Sequence, residues 1–162
     1  METKKPMTAQ QAFTKLSALC ARSEHCQQDM LEKMRQWGVD TEAQAEVMQR
    51  LVSERYVDDS RFAHAFVTDK VRYNKWGRRK VEQALWAKRI DKDIATEALD
   101  AVSDEEYLSV LRPLLKQKRK NTKAQSEYEM TMKLIKYALS RGFTMDIIKQ
   151  CIDVDDEDEF LD

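Results

Sequence analysis

Three stretches of this chain repeat one apolar spacing around one tight turn. MLEKMRQWGVDTEAQAEVMQRL, from Met30, places apolar or small residues at 30, 34, 39, 43, 47, 48 and 51. VEQALWAKRIDKDIATEALDAV, from Val81, places them at 81, 85, 90, 94, 98, 99 and 102, an offset of 51 residues. LIKYALSRGFTMDIIKQCIDVD, from Leu134, places them at 134, 138, 143, 147, 151 and 152, an offset of 104 from the first. Steps of three and four residues mark one face of a helix, so each stretch reads as helix, turn, helix.

The turn chemistry supports that register. Gly38 and Gly142 fall where a helix ends in a left-handed residue, a conformation glycine adopts at little cost. The apolar residue that follows, Val39, Ile90 or Phe143, is placed to pack back on the helix before it. Asp40, Asp91 and Thr144 then suit the N-cap of the next helix. Arg89 stands where the other two turns have glycine, so the middle turn is expected to differ.

Each unit also has a third helical pattern upstream. Residues 8–23 align Ala12, Leu16 and Leu19; residues 59–73 direct Phe62, Phe66, Val67 and Tyr73 inward; residues 104–118 align Tyr107, Leu108, Leu111 and Leu115. Pro113 lies inside the last pattern and is expected to kink or end that helix. With three glycines and two prolines in 162 residues, helix breakers are scarce. The chain therefore reads as all-α: three tandem three-helix, helix-turn-helix-like repeats over 8–55, 56–102 and 103–153, forming an elongated curved array. The acidic end, residues 154–162, reads as a disordered tail.

Net charge is -1, which by itself implies no polyanionic partner, but its distribution is uneven. Residues 70–92 hold nine Lys/Arg against two Asp/Glu, and residues 112–123 hold six basic residues and no acid. Residues 153–162 hold seven acids and no base. Local fields of this kind decide which partners approach. Around Gly77, the residues Lys70, Arg72, Lys75, Trp76, Arg78, Arg79 and Lys80 cluster ahead of a helix whose N-terminus adds positive potential, and Lys88 and Arg89 follow. Such a cluster is either a solvated basic face over core aromatics or a contact for nucleic acid or an acidic protein groove. Trp76, Trp86 and Tyr73 fit either stacking on bases or packing under the turn. The run KQKRKNTK at 116–123 is expected to be a mobile loop able to reinforce such a contact.

Other chemistries find little support. Cys20, Cys26 and Cys151 are odd in number and irregularly spaced, which argues against a disulfide framework. Cys20, His25 and Cys26 lack an evident fourth metal ligand, so no metal and no cofactor are expected. The N-terminal METKKPMTAQ has no apolar core of a secretory signal, and no apolar run approaches a membrane span. A cytoplasmic monomer is expected. No nucleophile–base–orienter set or phosphate-cradling glycine loop is present, so an enzyme is not expected. In the link LVSERYVDDSRFAHAF, Tyr56 and Val57 read as packing inward, Asp58 as a cap and Asp59 as a first-turn acid. Paired-carboxylate chemistry would need a third partner at a useful spacing, and none is evident.

Tyr56-Val57-Asp58-Asp59 followed by Arg61-Phe62-Ala63 resembles the G-Y/L-I-D-D-x-x-F-A signature of the RecX family of recombination regulators. Gly77-Arg78-Arg79-Lys80-Val81 resembles that family's G-x-x-x-I, followed by Leu85 and Lys88, and Arg141-Gly142-Phe143 resembles its R-G-F. Order and spacing agree over most of residues 12–152. Arg89 departs from the family's K-G-I turn, and the acidic tail is not part of the pattern. The resemblance implies three tandem three-helix repeats and a non-enzymatic modulator of the recombinase RecA. Such a protein would lie along the RecA filament on single-stranded DNA and inhibit ATP hydrolysis, strand exchange and co-protease activity. The middle repeat would be the main contact surface, with possible direct DNA contact. Gly38, Tyr56, Asp58, Asp59, Phe62, Gly77, Gly142 and Phe143 are assigned to structure. A stand-alone helix-turn-helix DNA-binding protein and a protein-binding helical scaffold are the competing readings.

Overall fold

A computed structural model describes residues 5–152. Among them are nine α-helices and no strand. They are α1 (Ala9–Arg22), α2 (Gln27–Gln36), α3 (Thr41–Ser53), α4 (Asp59–Arg72), α5 (Arg78–Ala87), α6 (Lys92–Asp100), α7 (Asp104–Asn121), α8 (Glu127–Ser140) and α9 (Met145–Cys151). The acidic stretch at 154–162 lies outside the described residues.

The chain forms two compact units. One comprises the described part of Met1–Phe66 with Leu85–Thr96; the other comprises Val67–Ala84 with the described part of Glu97–Asp162. Each unit therefore takes part of α4, α5 and α6. In the first, α3 packs on α1 and α2. Its core joins Ala12, Leu16, Met30, Met34, Val47 and Leu51, all essentially inaccessible to solvent. In the second, α7 packs on both α8 and α9 around Leu108, Leu111, Leu134, Ala138 and Ile148. Burying a Leu, Ile or Met side chain stabilises by about 1.5–3 kcal/mol, so these helix faces hold each unit together.

Local sequence explains where the helices begin. Thr8 Oγ1 accepts from the Gln11 N–H at 3.2 Å while the Gln11 side chain accepts from the Thr8 N–H at 3.0 Å, a reciprocal cap on α1. Asp40 accepts from Ala43 N–H at 2.8 Å, and Asp91 from Asp93 N–H at 3.0 Å. Thr144, expected to cap α9, has the extended backbone of a cap residue but makes no side-chain cap bond.

The three repeated turns are alike in detail. Val39 N–H donates to Met34 O at 3.0 Å, Ile90 N–H to Leu85 O at 3.1 Å, and Phe143 N–H to Ala138 O at 3.1 Å. The residue before each is left-handed: Gly38 at φ 71°, Arg89 at 55° and Gly142 at 94°. The expectation that Arg89 would change its turn is thus corrected. A left-handed non-glycine residue costs about 1–2 kcal/mol, and burying Ile90, which is 6% exposed, contributes about as much or more.

Four further expectations change. Pro113 does not end its helix; α7 runs on to Asn121. Pro113 and Ser109, whose carbonyl loses its partner to the proline ring, are both exposed, so water serves that carbonyl while Leu111 and Leu115 stay buried. For the same reason Lys116 to Asn121 form the last turns of α7, not a loop. Tyr73 points outward, 80% exposed, because Val67 and Val71 occupy the inner face of α4. Tyr56 sits at the rim, 37% exposed and edge-on to Phe13 at 5.8 Å, while Val57 is the residue packed inside.

Candidate functional site

The Gly77 turn is built by the chain's far end. Gly77 N–H donates to Arg141 O at 2.8 Å, and Arg79 N–H donates to Gly142 O at 2.9 Å. The Arg141 guanidinium donates back to the carbonyls of Asn74 and Lys75. A Cβ on Gly77 would fall inside the backbone of Gly142 and Phe143. Gly77 is therefore set by close approach of two backbones, Gly38 by left-handed geometry, and Gly142 by both, since a Cβ there would also collide with the Lys80 backbone nitrogen.

Around this turn, within the second unit, the basic side chains separate by what they touch. Arg78 pairs with Asp100 at 2.7 Å, and Arg72 reaches Glu106 at 3.9 Å. Lys70 and Lys80 place their ammonium groups 5.0 and 4.7 Å from the Trp76 ring centroid, within cation–π range. Trp76 is thus half-buried under lysines. Lys75 bends its ammonium to the Arg72 carbonyl at 3.4 Å. Arg79 is exposed, and its side chain has no hydrogen-bond or ionic partner among the described residues. Tyr73 stands exposed on the preceding helix.

In the first unit, Lys88 pairs with Asp29 at 2.7 Å, and Asp29 also accepts from Cys26 N–H at 3.3 Å. Burial pushes the Asp29 carboxyl up, but these two donors and the Lys88 charge outweigh it and leave it below its ordinary value. The hydrogen bond to Asp29 in turn raises Lys88. Arg89 is exposed without a side-chain partner among the described residues. Trp86, for which the sequence left both readings open, is 81% exposed. The signal was present: Val81 and Leu85 fill the buried face of α5, and the next residue points about 100° away.

The two link aspartates each serve a helix start. Asp58 Oδ1 accepts from Arg61 N–H at 3.0 Å, an N-cap on α4. Asp59 does more than sit in the first turn: it accepts from Gln27 N–H at 2.9 Å and so caps α2 from a distance. Burial, with Asp58 and Asp29 nearby, holds the Asp59 carboxyl above its ordinary value despite that bond. Phe62 is buried. Burial raises the Cys26 thiol to about 11. Among the described residues no group of three His, Cys, Asp or Glu is placed to hold a metal, and no helix is long and apolar enough to cross a membrane.

Residues 58–99 match a family model described as RecX, second three-helix domain, and residues 104–152 match RecX, third three-helix domain. A regulatory protein RecX of Acinetobacter baylyi is 28% identical over 135 residues, covering 83% of this chain and 82% of that protein. A regulatory protein RecX of Clostridium botulinum strain Alaska E43 is 31% identical over 134 residues, covering 81% and 62%. For the Oceanobacillus iheyensis protein of the same description the figures are 29% over 141 residues, 87% and 51%, so this chain spans only about half of that relative. The crystal structure of RecX from Lactobacillus salivarius superposes with a TM-score of 0.81 at 18% identity, covering 88% of this chain and 93% of that one. At that identity the likeness establishes the fold: tandem three-helix repeats.

Proposed function

The chain belongs to the RecX family, and from that premise we propose that it regulates RecA by binding the RecA filament on single-stranded DNA and restraining its ATPase, strand-exchange and co-protease activities. The protein acts as a cytoplasmic monomer without catalysis or cofactor. Its repeats span 8–55, 56–102 and 103–153, and the middle repeat supplies the main contact.

The observation that carries this reading is the basic Gly77 turn. There Lys75 and Arg79 have no carboxylate partner among the described residues, beside an exposed Tyr73. A surface of cations with an exposed aromatic suits an acidic protein groove or the DNA within a filament. Lys70 and Lys80, held over Trp76, add positive field. Arg89 and Trp86 offer a second cation and aromatic in the first unit. Arg78, Arg72 and Lys88 already meet carboxylates and so bring less unpaired charge to this surface.

The test is RecA ATPase on single-stranded DNA with increasing amounts of this protein, alongside binding to the bare DNA. Suppression at concentrations too low to coat bare DNA supports filament recognition. ATPase that is untouched, or that falls only as the DNA becomes coated, overturns it in favour of a simple DNA-binding protein.

A further inference from the structure

Among the described residues five have left-handed backbones. Two are glycines, Gly38 and Gly142; the other three are cations, Arg55 at φ 64°, Lys75 at 58° and Arg89 at 55°. After glycine, the side chains that suit this conformation are those of asparagine and aspartate, whose short polar groups bond locally, and not long cations. A long side chain there is disfavoured by about tenfold relative to glycine. The turns need the conformation; they do not need these residues.

Nothing within the fold accounts for the choice. All three are exposed. The Arg55 and Arg89 side chains have no hydrogen-bond or ionic partner among the described residues, and Lys75 reaches only the Arg72 carbonyl at 3.4 Å. Each follows the end of a helix, α3, α4 or α5, where a cation offsets the macrodipole, but that returns only about twofold to fivefold. Any basic residue in the last turn collects the same return, and Arg50 and Arg72 already do so on α3 and α4. Strain kept where glycine would remove it, at side chains that hold nothing together, points to a duty outside the fold.

Their neighbours narrow the partner. Val52 and Tyr56 flank Arg55, Tyr73 stands two residues before Lys75, and Trp86 three before Arg89. All four are exposed, and among the described residues only three other large apolar side chains are. Arginine with exposed tryptophan and tyrosine is the composition of protein-interface hot spots. The aromatics alone would also suit stacking on bases, but Val52 has no ring to stack. A cation beside an apolar side chain is matched by a carboxylate beside another.

We propose that Arg55, Lys75 and Arg89, each with its exposed apolar neighbours, are contact residues for a protein surface that presents carboxylates among apolar side chains, and that Arg55 carries this contact beyond the middle repeat. The inference rests on the filament reading, under which that protein is RecA.

The test sets stability against binding in the full chain. Arg55→Gly, Lys75→Gly and Arg89→Gly each raise the folded-to-unfolded ratio in urea by about threefold to tenfold, since glycine takes the turn freely. Each weakens cosedimentation with RecA filaments on single-stranded DNA by about fivefold or more, and Trp86→Ala does the same without moving the urea midpoint. Arg35→Gln, which removes an exposed charge elsewhere, stays within about twofold. Glycine variants that gain stability yet bind filaments like the unaltered chain would overturn the inference and leave the filament reading standing. A glycine variant that loses stability would show that the cation holds its turn, and would overturn it too. If the unaltered chain does not cosediment, the filament reading falls and takes the inference with it. Matching losses on a bare fluorescein-labelled oligothymidine would assign the cations to phosphates and overturn the protein contact.

Discussion

The Gly77 amide and the Arg141 carbonyl, on opposite sides of the second unit's sequence, meet at 2.8 Å. This one bond, with Arg79 N–H on Gly142 O beside it, joins two turns whose motifs are separate in the sequence. The R-G-F turn is the support on which the basic G-R-R-K turn is built.

Replacing Gly77 with Ala puts a methyl group into the Phe143 backbone, which cannot move without breaking the Gly77–Arg141 bond. The expected loss is about 2–4 kcal/mol, in the range of overpacked and strained sites. Gly38→Ala meets nothing within 4 Å and suffers only its left-handed φ, about 1 kcal/mol. Urea denaturation of the two variants checks the ranking; equal losses would contradict the close approach.

Arg78 and Arg79 are adjacent arginines with different duties. Arg79→Glu is expected to weaken filament binding by about tenfold or more while leaving the melting temperature unchanged. Arg78→Glu sets a carboxylate against Asp100 and lowers the melting temperature as well. Binding and melting measured on the same preparations separate the two effects. Arg79→Glu binding like the unaltered protein would remove the Gly77 turn from the interface.

Asp29 makes stability depend on acid. Its folded carboxyl lies below the ordinary 3.8, so its contribution is present above that value and is lost as pH falls through the folded pKa. Lys88 is raised above 10.5, so its contribution holds below that value and is lost as pH rises through its folded pKa. Because Lys88 is 39% exposed, solvent screens the pair, and Asp29→Asn costs about 1 kcal/mol at neutral pH. Denaturation at several pH values should show that difference level from about pH 5 to 9 and shrinking below 3.8. A difference that persists unchanged to pH 2 would contradict the pairing.

The two link aspartates should be separable. Asp58→Ala loses the α4 cap and about 1 kcal/mol. Asp59→Ala leaves that cap intact but frees Gln27 N–H at the start of α2. Hydrogen exchange should quicken at the first turn of α4 in one variant and at Gln27 in the other. Protection at Gln27 unaltered by Asp59→Ala would rule out the long-range cap.

Thiol reactivity reports the first unit's core. Cys26 is wholly buried and its thiol is raised to about 11, so little reactive thiolate is available. Cys20 and Cys151 are partly exposed. A disulfide exchange reagent should modify Cys26 only on unfolding, with the other two first; early modification of Cys26 would show that the α2 start opens locally.

What the sequence by itself determined is the part of the structure written in short-range periodicity. Spacings of three and four residues located the helices and their inner faces, and the turn register placed Val39, Ile90 and Phe143 inside. Asp40 and Asp58 as caps follow from side-chain chemistry acting over three residues. These signals are local because helix hydrogen bonds and caps are local. The tertiary structure decided what depends on which helix meets which. Asp59 reaches Gln27, Lys88 reaches Asp29, and Gly77 reaches Arg141, across separations that carry no period. Pro113 continues a helix because Ser109, whose carbonyl it leaves without a donor, is exposed, and Arg89 takes a left-handed turn because Ile90 is buried behind it. Neighbouring arginines are chemically identical in sequence. Only packing brings Asp100 to one of them and leaves the other facing solvent, because partner choice is set by distance in space and not by residue type.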